Sequence, residues 1–381
     1  MNCVFCAVSV PNHVDPIYSL LPLPLETRTM NVMRRFRDRD FLQTKEGFFF
    51  CVVGPLHPQR RVISYLKYVP SKVGVWKKGK KRFRRVMRNY TIPNLLETFN
   101  FLERNYPHYL FHSSFYNINL TAVPQKHIAE HFKPEEKLAQ LLQTSHLDPL
   151  QKKLTRFTSF LAETSNVPHD FFGVTGSILL DIHQPEFSDM DITVYGLKNS
   201  LAVKNALVKN YSLPSFPVKR LEEKTLKAWC ARKARSYPLT TDEVLKIYER
   251  KWNLGVFEDT MFSIHPVKLE QEVAEEYGEK TYYPMGHATI RAVVHDNTDY
   301  LFLPSVYRIE EAKIVEGPQV TDIVEVVSYE SLYDSLAEVG ESIEVRGKLE
   351  RVVNNKANQE HHRILVGSPE GKGMEYIKLT S

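Results

Sequence analysis

Cysteine is scarce in this chain: Cys3, Cys6, Cys51 and Cys230 are all that 381 residues contain. Four scattered thiols build no disulfide framework, which points to a reducing cytosol and a core that holds without staples. Cys3 and Cys6 have C-x-x-C spacing, but no second ligand pair accompanies them, so a zinc site is not indicated. Long apolar runs are missing too. No stretch of about 18 apolar residues occurs, so no membrane-spanning helix is expected. The N-terminus lacks a basic leader followed by an apolar segment and a cleavage site, so a cytoplasmic location is expected rather than secretion. There is no G-x-x-x-x-G-K-S/T and no G-x-S-x-G, which argues against a P-loop NTPase and an α/β-hydrolase. Internal repeats are absent as well.

What is present suits a soluble protein with a large core: 43% of residues are hydrophobic and 25% charged. The length favours two or three domains. A formal net charge of +5 permits a polyanionic partner without requiring one.

Residues 1–32 read as an N-terminal extension, rich in proline and without a lasting period. An α/β N-terminal module follows over 33–132. In it "GFFFCVVG" and "RVISYLKYV" read as paired strands, and "IPNLLETFNFLERNYP" as a helix. Residues 133–282 alternate helices and strands. Asp148 and Pro149 suit the N-cap and first turn of a helix whose apolar face is Leu150, Leu154, Phe157 and Leu161. Thr240 and Glu243 have capping-box spacing. The segment "VFEDTMFSIHPVK" reads as one strand. Residues 283–381 form a β-rich module, an OB-like barrel or sandwich, with "HATIRAVV", "DYLFLP", "DIVEVVSY", "SIEVRGKLERV", "HHRILVGS" and "EYIKL" as its strands. The fold class expected is therefore multidomain α+β.

The chemistry is concentrated in "FFGVTGSILLDIHQPEFSDMDITVYG". In "SDMDITVYG" the period is 2, so Asp189 and Asp191 share one face of a strand while Met190, Ile192 and Val194 occupy the other. Their side chains start roughly 6.5 Å apart, within reach of one hard cation such as Mg²⁺. Upstream, "VTGS" ends a strand and opens a short helix, where Gly176 allows close backbone approach and Ser177 can donate to an anion.

In the order strand, Gly-Ser bend, short helix, Asp-x-Asp strand, these elements resemble the signature of the DNA polymerase β-like nucleotidyltransferase superfamily. Over residues 33–381, "RDRDFLQTKEGFFFCVVG", "VISYLKYVP" and "SIEVRGKLERV" look like archaeal predicted nucleotidyltransferases. The resemblance implies a central mixed sheet flanked by helices and a two-metal mechanism, with Mg²⁺ or Mn²⁺ on Asp189 and Asp191. It implies that Gly176 and Ser177 hold the β,γ-phosphates of a nucleoside triphosphate. An acceptor hydroxyl, such as that of RNA, then attacks the α-phosphorus and releases pyrophosphate. The superfamily pattern includes a third carboxylate on a later strand. With "MFSIHPV" in central register that position holds Ser263 or His265; Asp259 is preferred for the role, with Glu258 second.

The basic run Lys77, Lys78, Lys80, Lys81, Arg82, Arg84, Arg85 and Arg88 is a candidate grip for nucleic-acid phosphates, with Phe83 available to stack on a base. Asp181 and His183 lie close enough in sequence to touch substrate, although a surface helix end accounts for them equally well. Trp229 reads as a packing residue. The alternative to an enzyme is a catalytically inactive protein of the same fold that binds nucleic acid or regulates.

Overall fold

Three sheets succeed one another along the chain. The computed structural model describes residues 34–87 and 92–380. The expected extension, with Cys3 and Cys6, and Arg88 at the end of the basic run lie outside the described residues. From Arg35 to Ser381 the chain forms one compact unit of mixed α+β structure.

The first sheet is built from β1 (Phe41–Thr44), β2 (Phe49–Val52), β3 (Arg61–Pro70), β4 (Trp76–Lys78) and β5 (Lys81–Arg85), then, after helix α1 (Ile92–Asn105), from β6 (Leu110–Ser113), β7 (Ile118–Pro124) and β8 (Ile128–Phe132). Its order is β4-β5-β3-β2-β1-β8, with β7 joining β3 and β6. Every pairing is antiparallel. The expected α/β module is thus a mostly hairpin-built sheet with one helix. Short turns can join only antiparallel neighbours, and a parallel pair would need a long crossover. Alternation divides the apolar side chains by face, with a register shift between β2 and β3 that leaves Lys67 unmatched and sends Leu66 and Tyr68 to opposite faces. Phe50, Val52 and Leu66 pack with Leu102 of α1, while Phe49, Cys51, Tyr68 and Phe83 pack with Leu179, Leu180 and Ile182 of the next module.

That module contains α2 (Pro134–Gln143), α3 (Pro149–Ser165), β9 (Phe172–Val174), α4 (Gly176–Leu179), β10 (Met190–Tyr195), α5 (Leu197–Asn210), β11 (Val218–Lys219), α6 (Glu223–Ser236), α7 (Thr241–Arg250), β12 (Leu254–Phe257) and β13 (Thr260–Val267). The sheet order is β11-β12-β13-β10-β9, with β10 and β13 parallel and the remaining pairs antiparallel. Helix α3 starts where its cap dictates. The Asp148 carboxylate accepts from the amides of Leu150 and Gln151 at 2.9 and 3.0 Å, and Gln151 reaches back to the Asp148 amide at 3.1 Å. Such a capping box satisfies amides that the first turn leaves unpaired and contributes about 1 kcal/mol. Thr240 and Glu243 cap α7 in the same way.

The last sheet comprises β14 (Lys280–Asp296), β15 (Ser305–Glu316), β16 (Ile323–Ser328), β17 (Ser342–Asn354), β18 (Gln359–Val366) and β19 (Tyr376–Thr380). Because β14 pairs with both β15 and β17, the pairings run β14-β15-β16-β18-β17 and back to β14, with β16 and β18 parallel. "DYLFLP" is a turn segment rather than the expected strand, and β15 is a strand beyond those expected. Residues of this sheet such as Tyr307, Val345 and Ile364 belong to the same apolar cluster as Phe157, Ile192 and Ile264 of the central sheet. The two modules share one core.

Candidate functional site

Strand β9 ends at Val174, and the next residue ties the bend to β10: the Thr175 amide donates to the Asp191 carbonyl at 2.9 Å. Gly176 follows with φ at +69°, where a Cβ would lie 2.3 Å from Asp191 Oδ2. Only glycine fits there, because the bend's backbone and the carboxylate occupy adjoining space. Along β10, Met190, Ile192 and Val194 are fully buried, so the odd positions turn the other way, as period 2 demands.

The parallel register sets Ser263 beside Asp191 and His265 beside Thr193. Ser263 Oγ donates to Asp191 Oδ1, and His265 Nε2 stands 2.9 Å from Ser263 Oγ and 3.7 Å from the carboxylate. With the serine proton directed at Asp191, the imidazole must donate to Ser263 Oγ, giving a relay His265→Ser263→Asp191. Burial pushes His265 down to about 4, so the ring is neutral at pH 7.

Asp259 and Glu258 are not brought to this place. "VFEDTMFSIHPVK" is a hairpin, not one strand. Phe257 pairs with Thr260, and Glu258 and Asp259 form the two-residue turn, with φ of +44° and +62°. Two positive φ values in a row define a type I′ turn, which acidic residues tolerate. Asp259 sits four residues before Ser263, on the order of 13 Å along the strand. Glu258 is taken by Arg156. The cross-strand neighbour of Asp191 is Ser263, not an acid.

Asp189 and Asp191 open on a cavity of about 1000 Å³ whose wall also includes Arg39, Lys67 and Arg85 from the first sheet and Arg363 from the last. Asp189 is solvent-accessible but faces this cavity rather than open bulk water. The negative charge of Asp191, then desolvation, push its carboxyl up to about 6 against the pull of Arg85 and Lys67. For Asp191, burial acts upward. The nearby His265 imidazole, the charge of Lys67 and the Ser263 hydroxyl outweigh it, holding that carboxyl well below the usual range. Gly176 and Ser177 are buried and do not themselves line the cavity; Thr175 does, its hydroxyl donating to the Arg39 carbonyl at 2.8 Å.

A pH dependence follows. A cation at the pair must displace the proton that Asp189 holds below about pH 6. Mg²⁺ affinity should rise about tenfold per pH unit up to that point and level off above it. Titration calorimetry between pH 5 and 8 checks this, and a flat profile would remove Asp189 from the site.

The basic run forms a hairpin of β4 and β5. Lys77, Lys78, Lys80, Lys81, Arg82 and Arg84 are exposed on it, while Arg85 turns into the cavity and stacks over Trp76, 4.8 Å from the ring centroid. Phe83 is buried, only 2% exposed, so it cannot stack on a base; its side chain holds the hairpin to the Leu179–Ile182 segment. Lys78 lies 3.6 Å from Asp181, Lys137 binds the same carboxylate at 2.5 Å, and His183 binds the Asp148 cap at 2.7 Å. Asp181 and His183 thus have structural partners, and Trp229 is buried against Tyr248. Sequence reasoning missed Arg39 and Lys67, which sit in ordinary strand or loop contexts and reach the site only through sheet packing.

The chain is 30% identical over 348 residues to an uncharacterized protein of the archaeon Methanocaldococcus jannaschii; the match covers 91% of this chain and 99% of that one. This chain belongs to the family of that archaeal protein. No family model matches the chain, and no solved structure does. Among the described residues no helix is long and apolar enough to cross a membrane.

Proposed function

We propose that the protein is a Mg²⁺-dependent nucleotidyltransferase of the DNA polymerase β-like type, passing a nucleoside monophosphate from a triphosphate to an acceptor hydroxyl. One observation carries the reading: Asp191 on β10 and Asp189 just before its first residue stand together with the Gly176 bend against the Asp191 carboxylate, facing a cavity lined by Lys67, Arg85 and Arg39. The raised Asp189 pKa expresses two like charges in want of a cation, which fits a hard divalent ion held by both carboxylates. Such an ion would neutralise charge developing on phosphate oxygens. A second ion would need the third acid, where Ser263 stands, so one Mg²⁺ is the stoichiometry proposed. Lys67, Arg85 and Arg39 are suited to the triphosphate. They bring positive charge to the cavity wall beside the aspartate pair.

The acceptor proposed is RNA. The exposed hairpin cations next to the site suit a polyphosphate backbone, and a five-strand ring of OB-like character suits an oligonucleotide.

Ser263 in place of a third acid favours a second reading, an inactive relative that binds nucleotide or RNA without transfer. The test is to incubate the full-length protein with each α-labelled NTP, Mg²⁺ and total cellular RNA. Label in RNA together with released pyrophosphate is the expected result. Saturable binding of NTP and RNA without any label transferred would replace the enzyme with the second reading.

A further inference from the structure

Three connections of the first sheet converge on one spot. Glu46 lies in the turn between β1 and β2, His108 in the single helical turn between α1 and β6, and His127 in the single helical turn between β7 and β8. The imidazoles of His108 and His127 stack with centroids 4.5 Å apart and planes at 27°. His108 Nε2 is 3.8 Å and His127 Nδ1 3.7 Å from Glu46 Oε1, and the three atoms all lie within 4.8 Å of one another. Both separations are too long for hydrogen bonds. Both nitrogens are nonetheless buried, and neither has a hydrogen-bond partner. Leaving two such atoms unsatisfied is unfavourable, and a cation at their centre would satisfy both.

The surroundings prepare these groups as ligands. The Tyr109 hydroxyl donates to the other oxygen of Glu46 and fixes the carboxylate's direction.

We propose that Glu46, His108 and His127 form a metal site separate from the aspartate pair, taking Zn²⁺ or a similar first-row divalent ion. Two imidazoles and one carboxylate select such a borderline ion over Mg²⁺, which prefers oxygen. All three side chains are partly exposed, so water can complete a four-coordinate shell. The site would pin three turns of the first sheet together, and it does not depend on the nucleotidyl-transfer reading.

The test uses chelator-stripped full-length protein carrying Cys3→Ser and Cys6→Ser, so that the N-terminal thiols contribute nothing, with Mg²⁺ in excess to fill the aspartate pair. Titration with Co²⁺ should give the visible bands of a four-coordinate ion at one equivalent, displaced by Zn²⁺. Tyr109→Phe should weaken Zn²⁺ about tenfold through loss of carboxylate orientation. His108→Gln with His127→Gln should abolish the bands. A featureless Co²⁺ spectrum on the stripped protein would overturn the site, as would full binding by the double variant with native far-UV circular dichroism. If the double variant fails to fold, the Co²⁺ spectrum and Tyr109→Phe still decide.

Discussion

Replacing Asp191 or Asp189 with asparagine is expected to lower Mg²⁺-dependent nucleotide transfer about 100-fold or more, while stability moves in opposite directions. Either change removes half of the charge that would hold the ion and stabilise the phosphoryl oxygens. The fold feels them differently. Asp189 has its pKa raised chiefly by Asp191, so its ionised form is unfavourable without a cation. Its folded-state pKa of about 6 lies above the ordinary 3.8, so the carboxyl destabilises as pH rises through that window. Asp189→Asn should therefore melt at the same temperature or higher at pH 7. Asp191 has its pKa lowered and contributes stability that is fully present at neutral pH, so Asp191→Asn should melt lower. Activity assays paired with thermal melts check both halves. Transfer at wild-type rates by either variant would count decisively against the site.

Gly176→Ala should destabilise the protein by about 2–3 kcal/mol and disable the site with it. Two penalties combine at this residue. A φ of +69° disfavours any side chain, and the new methyl would meet the Asp191 carboxylate at 2.3 Å. Gly79→Ala separates them. At the tip of the basic hairpin its φ is +58° with nothing within 4 Å, so it carries backbone strain alone, about 1 kcal/mol. Denaturant unfolding of the two variants measures the difference. Equal costs would mean that the carboxylate is not held against the bend.

The parts of this structure written in local pattern were legible in the sequence. The Asp148 cap, the alternation from Met190 through Asp191 along β10 and the bend at Gly176 each depend on neighbours within a few residues, whereas Asp189, read as part of that strand, lies just before it. What depends on register was not. Whether Asp259 or Ser263 stands beside Asp191 turns on two residues becoming a hairpin turn, a choice that "FEDT" does not disclose without its pairing. Phe83 is set among lysines and arginines on both faces of its strand, so nothing local discloses the Leu179–Ile182 segment that covers it. Glu46, His108 and His127 lie in separate connections with no motif spacing, and only the order of strands in the first sheet brings them together. Lys67 is one of many strand lysines until the cavity gives it a role.

The division of labour along the chain has a practical meaning for anyone wishing to work with less of it. Leu179, Leu180 and Ile182, directly after the Gly176 bend, are roofed by Phe41, Phe49 and Phe83 of the first sheet. A fragment beginning at Lys133 would keep the acidic residues, bare that greasy ceiling to water and lose Arg39, Lys67 and Arg85 from the cavity wall. Minimal versions of this protein cannot be trimmed from the left; the whole span from the first strand onward is the smallest unit able to assemble its own binding chamber.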